Sequence, residues 1–424
     1  MKITVKKPQA YRHNPAANNA PTDMRRRRYL ILLAAAHLAA ISAKPFANKA
    51  IANVADKSNL PSANNSQQWW VSAQGKDDDN YSLAWLNQSL SNLQKTITGF
   101  RGHGVIQHPK NPYSILFIAR RPGTTGLQIN LLSGEIEKRF ECQHSRHMEG
   151  HACFSKDGLV LFTSESDFKN GVGKIVVRDS HSYQVLDEYN SHGIGPHEIK
   201  PMPDGQTLVI ANGGLRTHPS SGRKVLNLDS MHSTLTYINT ATGELIEEHQ
   251  VAHRKASIRH LDVASDGTVA IAMQIQQAEM ADQNPTSLSA IHLQRQAIKL
   301  LPQPSAILRK LNDYLGSVAI NNQYRTVGFT SPRGNVAVFW QMDEQRFIGY
   351  HALHDVCGLA VSPDQRYFVL SNSNGEIRQL DSKTLTEATH LRCKIPNAHW
   401  DNHLLSVAVP IPESKRESIS GNLS

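Results

Sequence analysis

The chain has little cysteine and lacks the short motifs of several enzyme classes. Only four of its 424 residues are cysteines, and none stands in CxxC or CxxCH spacing. This spacing disfavours a thioredoxin-type pair, a covalently attached haem and a structural zinc site built from paired cysteines. The sequence also lacks a glycine-rich phosphate loop and a nucleophile elbow. These absences leave open whether the protein is an enzyme.

Excess positive charge is concentrated at the N-terminus. The whole chain carries a formal net charge of +9, but its first 42 residues contain eight Lys/Arg and one acidic residue. Without that stretch, 37 basic side chains face 35 acidic ones, a net charge of +2. A basic surface for nucleic acid is therefore not expected.

The main apolar run of the chain follows a block of arginines. Residues 25–43, RRRRYLILLAAAHLAAISA, have the layout of an export signal. Arg26, Arg27, Tyr29 and Leu30 resemble the twin-arginine pattern R-R-x-aromatic-Leu. The run is too short for a comfortable membrane span. The sequence therefore predicts a periplasmic protein with no stable membrane span after the signal is removed.

These features divide the chain into four parts. We expect a twin-arginine-type signal with a long n-region at 1–43, a flexible linker at 44–64, one folded domain at 65–410 and a disordered tail at 411–424. After export the cysteines would meet an oxidising compartment, and their spacing does not settle whether they form disulfides.

A repeated pattern of short strands indicates the fold. Each repeat has a short extended segment, a turn centred on Asp-Gly or Pro-Asp, and an alternating apolar strand: HACFSKDGLVLFTSES, HEIKPMPDGQTLVIANGG, RHLDVASDGTVAIAMQ and CGLAVSPDQRYFVLSNSNG. Asp-Gly between alternating strands is a strong hairpin pattern. Two further candidate strands follow each hairpin. Four antiparallel strands in every 40 to 60 residues or so are typical of a β-propeller blade.

Counting the blades predicts an all-β, seven-bladed β-propeller. Six inner strands begin near His103, His151, His197, His260, Gly316 and Cys357. A seventh strand, HLLSVAV at 403–409, has no partner after it, whereas three strands between 67 and 100 lack an inner one. The C-terminal strand would therefore join the N-terminal blade and close the ring. The alternative is an eight-bladed or irregular propeller with a miscounted strand pair at 276–315.

Histidines recur at the predicted starts of the inner strands, which lie at one mouth of the central channel. They occur in RGHG (His103), RHMEGHA (His147, His151), GPHE (His197), IRHL (His260), HDVCG (His354) and NAHWDNH (His399, His403). Imidazole is the commonest protein ligand of transition metals, and carboxylates add oxygen donors.

A candidate metal site follows from this placement. It consists of His103, His151, His197, Glu198 and His260, with iron or copper as the expected metal and zinc or a bound anion as alternatives. Counting residues does not decide whether His197 or Glu198 faces the channel, because strand side chains alternate between faces. The structural alternative is that each histidine bonds within its own blade, as the Gly-His of WD-type propellers does.

One segment interrupts the rhythm of the blades. Residues 213–239 insert about 18 residues between the second and third strands of one blade, and long loops of this kind are often functional or covering. The insertion is predicted to cap one end of the channel. Its cationic side chains, together with Arg259 beside His260, are candidate contacts for an anionic cofactor or partner: Arg216, His218, Arg223 and Lys224.

The leader, the histidine-containing blade motifs and the insertion together resemble a bacterial family, domain of unknown function 1513. The resemblance runs from about residue 65 to 410. It implies an exported propeller related in fold to the quinoprotein amine dehydrogenase-like propellers. Members are commonly encoded beside imelysin-like iron-uptake proteins and a di-haem protein, which implies partners of that kind. The family has no established chemistry.

Two classes of function follow. The first is a binding module that holds a metal, or a metal-bearing partner, at the histidine-lined mouth during iron uptake. The second is an exported oxidoreductase that uses bound copper, iron or a quinone. A lactonase-like hydrolase is a weaker third option, because that chemistry needs several carboxylates in the channel and only Glu198 and Asp355 are well placed.

Overall fold

The computed structural model describes most of the chain beyond the predicted leader. It covers residues 66–75, 81–87, 93–222, 224–253, 255–275 and 287–411. The predicted signal, the predicted linker and residues 412–424 of the predicted tail lie outside these described residues, as does Arg223. No helix among the described residues is long and apolar enough to cross a membrane.

Seven four-stranded antiparallel sheets form the blades of a propeller. Blade 1 contains β1 (Ser66–Gln74), β2 (Ser82–Asn87), β3 (Gln94–Ile97) and β28 (Leu405–Pro410). Blade 2 contains β4 (Gly102–His108), β5 (Asn111–Ala119), β6 (Thr125–Asn130) and β7 (Ile136–Glu141). Blade 3 contains β8 (Arg146–Phe154), β9 (Val160–Asp167), β10 (Val172–Asp179) and β11 (Val185–Asn190). Blade 4 contains β12 (Pro196–Pro201), β13 (Thr207–Asn212), β14 (Thr234–Asn239) and β15 (Leu245–His249).

The remaining three blades follow in chain order. Blade 5 contains β16 (Ala256–Val263), β17 (Val269–Ile275), β18 (Ser289–His292) and β19 (Lys299–Leu300). A short helix, α1 (Ser305–Lys310), leads to blade 6, which contains β20 (Ser317–Asn321), β21 (Thr326–Ser331), β22 (Val336–Gln341) and β23 (Arg346–Ala352). Blade 7 contains β24 (Val356–Val361), β25 (Tyr367–Asn372), β26 (Glu376–Asp381) and β27 (Cys393–Lys394). The predicted seven-bladed propeller is confirmed, and the eight-bladed alternative is set aside.

The C-terminal strand closes the ring, as predicted. β28 pairs antiparallel with β1 through six residue pairs, from Ser66 with Pro410 to Val71 with Leu405. The innermost strands β4, β8, β12, β16, β20, β24 and β28 each pack against the next, and β28 packs against β4. Closure leaves no inner strand without a neighbour on either side.

The core consists of apolar layers between the faces of neighbouring blades. β1 illustrates the arrangement, because adjacent side chains on a strand point to opposite faces. Trp69 packs in one apolar cluster with Phe117 of blade 2, whereas Trp70 packs in another with Val369 of blade 7 and with Trp400, which precedes β28. The consecutive tryptophans of QQWWVSAQ therefore join blade 1 to both of its neighbours.

The predicted hairpin turn at Asp204-Gly205 shows how the sequence sets the blade geometry. Asp204 Oδ1 accepts hydrogen bonds from the backbone N–H groups of Gln206 (2.9 Å) and Thr207 (3.0 Å). Gly205 has φ +71°, which glycine adopts without strain. The turn directs β13 back along β12 and so fixes where β12 ends and β13 begins.

The cysteines do not contribute cross-links. Cys142, Cys153, Cys357 and Cys393 are all free, and Cys153 and Cys357 are buried. Burial raises the pKa of the Cys153 and Cys357 thiols, which keeps them protonated at neutral pH. The propeller is therefore held together by blade packing and by its ring closure.

Ring closure can be tested by removing β28 alone. A chain that ends at His403 keeps Trp400 but exposes the channel-side edge of β1 and removes Val407 and Val409, whose side chains are buried against blades 1 and 2. We expect this variant to aggregate, or to melt at least about 10 °C below the parent, because burying two such side chains stabilises by about 1.5–3 kcal/mol each.

A chain that ends at Ile411 is the matched control and should melt like the parent in differential scanning calorimetry. An unchanged melting temperature for the chain that ends at His403 would contradict closure by β28.

Candidate metal centre

β-Bulges turn the first residues of the inner strands into the channel. In β12, Pro196 pairs with Asn212 and Ile199 with Ile210, so three steps on β12 face two on β13. The extra residue breaks the alternation of side chains. His197 and Glu198 therefore both reach buried positions in the channel. This resolves the ambiguity in the sequence, since residue counting assumes an unbulged strand.

The same irregularity recurs around the ring. Register shifts occur at His103 in β4, before His151 in β8, at Arg259 in β16 and at Cys357 in β24. β20 pairs regularly with β21 and contributes no histidine. The bulges therefore coincide with the residues that the sequence placed at the channel mouth.

Five histidines from five blades meet inside the channel. Donor atoms of His103, His151, His197 and His260 all lie within 4.8 Å of one another, and these four side chains are buried. The fifth, His403, precedes β28 with φ +66°, and its ring centroid lies 4.5 Å from those of His103 and His260. We call these five residues the histidine cluster.

The closest contacts within the cluster join Nε2 atoms. His103 Nε2 lies 3.2 Å from His197 Nε2 and 3.3 Å from His403 Nε2. A neutral imidazole nitrogen carries either one hydrogen or one lone pair, so His103 Nε2 cannot make good hydrogen bonds to both neighbours. His151 Nε2 is buried and has no hydrogen-bond partner in the described part of the chain. At least one of the two contacts at His103 Nε2 is therefore not a good hydrogen bond, and His151 Nε2 makes none.

Glu198 lies behind two of these histidines. Its Oε2 is 3.2 Å from His260 Nδ1 and accepts a hydrogen bond from the Leu261 backbone N–H at 3.0 Å. Its Oε1 is 3.7 Å from His151 Nδ1 and 3.6 Å from Lys200 Nζ. A carboxylate on Nδ1 fixes the tautomer and leaves the Nε2 lone pair free. Glu198 thus contacts the Nδ1 side of the cluster.

The electrostatics of the channel keep the cluster neutral. Burial, together with neighbouring basic groups, lowers the pKa of His103, His151, His197 and His260 well below the ordinary value of 6.5. Burial and the nearby His260 lower the pKa of His403 to about 3. Burial raises the pKa of Glu198, but His151 and Lys200 outweigh it, and the net shift is downward. At neutral pH the site holds unprotonated imidazoles and an ionised carboxylate.

Two glycines allow the inner strands of blades 2 and 3 to approach. A Cβ on Gly150 would lie 2.5 Å from His103 Cδ2, and a Cβ on Gly104 would lie 2.4 Å from the Gly150 carbonyl oxygen. Gly150 also has φ +104°, a backbone angle that residues with a side chain rarely adopt. The glycines of RGHG and RHMEGHA therefore allow the two histidines to sit side by side.

Three of the eight histidines identified in the sequence lie outside the cluster. His147 Nδ1 contacts the Met148 carbonyl oxygen at 3.1 Å, and His399 Nδ1 contacts the Ser373 carbonyl oxygen at 2.9 Å. His354 is exposed in the turn before β24. The inner strands of blades 6 and 7 carry Ser317 and Cys357 near their starts instead of a cluster histidine. Ser317 Oγ donates a hydrogen bond to the Cys357 carbonyl oxygen at 2.9 Å.

A cavity of about 450 Å³ adjoins the cluster. Its lining includes His103, His197 and His260, and five arginines: Arg101, Arg120, Arg121, Arg259 and Arg333. Of the predicted contacts for an anionic cofactor, Arg259 lines this cavity. Burial and the neighbouring Arg121 lower its pKa to about 10, which leaves it charged at neutral pH.

The other predicted cofactor contacts lie in the insertion. Arg216 and Lys224 are exposed, and His218 packs on Phe168 with 5.0 Å between ring centroids. None of these three lines the cavity; the insertion contributes Leu215 and Val225 to its wall instead. Part of the insertion thus borders the channel mouth, as the covering-loop prediction requires.

A second histidine pair offers a useful contrast. Potential metal-binding atoms of Glu247, His249 and His292 also lie close together. However, His292 Nδ1 contacts the Tyr237 hydroxyl at 2.6 Å, and its Nε2 contacts the Gln296 carbonyl oxygen at 2.9 Å. Both nitrogens of His292 therefore already have protein partners, unlike His151 Nε2 in the cluster.

The role of Gly150 can be tested with a pair of alanine variants. G150A combines an unfavourable φ with a clash against His103, whereas G99A has an unfavourable φ (+73°) and no atom within 4 Å of the new Cβ. We expect G99A to lower the free energy of unfolding by about 1–2 kcal/mol. G150A should lower it by a further 1–3 kcal/mol or so, because of the clash.

Urea unfolding of the parent and both variants measures the difference. Equal losses for G150A and G99A would contradict the close approach of His103 to Gly150.

Comparisons with known proteins place the chain in a family. A search of curated proteins found no match. Among solved structures, a chain of Kuenenia stuttgartiensis Hydrazine Synthase is similar, with a TM-score of 0.51 and 14% identity over 70% of this chain and 91% of that one. At this identity the likeness concerns the fold alone. The model of the protein of unknown function family DUF1513 matches residues 97–407, a span that runs from β3 into β28. The chain therefore belongs to the DUF1513 family.

Proposed function

We propose that this protein binds one transition-metal ion through the histidine cluster. His103, His151, His197 and His260 would supply four nitrogen ligands, and His403 a fifth. The observation that carries the proposal is the approach of two Nε2 atoms to His103 Nε2 at 3.2 and 3.3 Å. These contacts cannot both be good hydrogen bonds, but a shared cation satisfies all three lone pairs at once.

The two Nε2 separations at His103 suit a metal centre. Zinc–nitrogen bonds of 2.0–2.1 Å place neighbouring tetrahedral ligands about 3.3 Å apart, and an octahedral arrangement would bring them to about 3.0 Å. The two Nε2 separations at His103, 3.2 and 3.3 Å, lie within this interval. The contact between Glu198 and His260 Nδ1 supplies the supporting carboxylate common behind metal-bound histidines.

The donor set also narrows the choice of metal. Neutral imidazole suits iron, copper, zinc and nickel, whereas magnesium and calcium prefer oxygen ligands. Copper(II) should bind most tightly in vitro, because most nitrogen sites bind it more tightly than the other divalent first-row metals. The metal loaded in the cell then depends on supply in the compartment.

The proposed cellular role is that of a periplasmic metal-binding module in iron uptake. The arginine-rich leader supports export, since Arg26, Arg27, Tyr29 and Leu30 match the twin-arginine pattern. The link to iron uptake, and to imelysin-like or di-haem partners, is supported by the family resemblance and by the metal-suited cluster.

An exported metal-dependent oxidoreductase is the second candidate. The cavity favours it, because His103, His197 and His260 face both the cluster and open space where a substrate could approach a bound ion. An absorption spectrum of protein purified from the periplasm separates the two. A coloured, metal-loaded protein favours redox chemistry, whereas a colourless protein that captures imelysin-like partners favours binding.

Replacing two cluster histidines tests the metal site itself. H197A/H260A removes one histidine of the short Nε2 contacts and the side chain closest to Glu198. We expect the parent to bind one Zn²⁺, Cu²⁺ or Fe²⁺ ion per chain in calorimetric titration. The double variant should bind each at least about 100-fold more weakly, because loss of even supporting groups costs 10–100-fold.

The matched control is H249A/H292A, which alters the second histidine pair and should keep the parent's affinity. Thermal melts of both variants show whether they fold. Equal affinities for the parent and a folded H197A/H260A protein would contradict the proposal.

A further inference from the structure

The cavity above the cluster has far more positive than negative charge. Arg101 binds Asp401 through both side-chain oxygens, at 2.6 and 2.8 Å, and Arg120 lies 3.6 Å from the same carboxylate. Arg121 lies 3.5 Å from Glu149. Three arginines of the cavity thus share two carboxylates.

The other two arginines of the cavity, Arg259 and Arg333, form no ion pair with a carboxylate in the described part of the chain. Among the described residues, the Arg259 guanidinium makes no hydrogen bond or ion pair, although it is partly buried beside Arg121. Glu149 attracts it only at longer range and already pairs with Arg121. Arg333 is exposed and lies over the Tyr314 ring, 4.9 Å from its centroid. A partly buried guanidinium without a close anionic partner is costly unless a ligand neutralises it.

The position of Arg259 follows from the bulge in β16. Ile258 pairs with Met273 and His260 with Ala272, so Arg259 is the extra residue between two paired positions. The bulge points Arg259 into the cavity and His260 into the cluster, and both line the same space. A ligand held by Arg259 would therefore lie next to the metal ligands.

We propose that this cavity binds a small oxyanion, a ligand with carboxylate or phosphate oxygens, with Arg259 as its principal contact. The planar guanidinium fork matches such groups through two parallel hydrogen bonds. Arg121 and Arg333 add charge from other walls of the cavity, and Leu215 and Val225 bound it with apolar surface. A volume of about 450 Å³ admits a small organic acid or phosphate ester.

Part of this inference rests on the proposed metal function. Recognition of the oxyanion by arginine needs no metal. Contact of one oxyanion oxygen with the bound ion does need it, and predicts that metal and oxyanion bind more tightly together than apart.

Calorimetric titration with oxalate and with inorganic phosphate tests the inference on both metal-free and Zn²⁺-loaded protein. We expect at least one probe to bind the metal-free parent, and the probe that binds identifies carboxylate or phosphate as the preferred group. R259Q should weaken that binding by about 10-fold to 100-fold, as expected for loss of a charge-assisted contact. R392Q is the matched control, because Arg392 pairs with Glu387 on another part of the surface, and it should bind like the parent.

The variants separate the two proposals. R259Q should keep the parent's affinity for Zn²⁺ alone within about three-fold, since Arg259 is not a proposed ligand. R333Q changes an exposed side chain and serves if R259Q does not fold. It should lower the affinity for the probe by about three-fold to ten-fold.

Failure of both probes to bind, or equal probe affinities for the parent and a folded R259Q or R333Q, would overturn the oxyanion site. Probe binding that depends on Arg259, in a protein that does not bind Zn²⁺, would support the oxyanion site and overturn the metal function.

Discussion

The closed ring of seven inner strands is the constraint on which the rest of the structure depends. Residues 103 to 403 span almost the whole propeller, and their histidines meet only because every inner strand packs against the next around one channel. The pairing of β28 with β1 completes this ring and brings His403 beside His103. Fold stability and the geometry of the site are therefore linked through one strand.

The site also requires an irregularity within the individual inner strands. A regular strand would send adjacent side chains to opposite faces, yet His197 and Glu198 both serve the channel. The β-bulges achieve this at the cost of regular pairing, and bulges commonly redirect side chains near functional sites. The buried, neutral imidazoles then lie beside a wall of charged arginines, so the channel mouth offers lone pairs to a cation and guanidinium groups to an anion.

The sequence predicted the fold well because the Asp-Gly turns and alternating strands are local patterns that repeat. His151, His197 and His260 were found because each precedes such a turn at a similar distance, and His103 because it stands at the predicted start of an inner strand. His403 was noted among the mouth histidines but not as a ligand, because its strand ends the chain and has no following turn to set a register. The orientation of Glu198 depended on a bulge, which no residue count reveals.

The cavity was predicted least well, for a physical reason. Its arginines come from separate blades and loops, so only the ring brings Arg101, Arg121 and Arg333 near Arg259. Of these, Arg259 alone was selected as a cofactor contact from the sequence, through its position beside His260. The sequence pointed to the basic insertion instead, because a cluster of charges within one loop can be read from neighbouring residues. Side chains that converge from different blades cannot be recognised in this way.

X-ray absorption spectroscopy of the copper- or zinc-loaded protein tests the central claim most directly. We expect four or five nitrogen neighbours at about 2.0–2.1 Å, with the outer-shell scattering of imidazole rings. A first shell made mainly of oxygen, without imidazole scattering, would show that the metal binds elsewhere and would contradict a histidine-held metal in this channel.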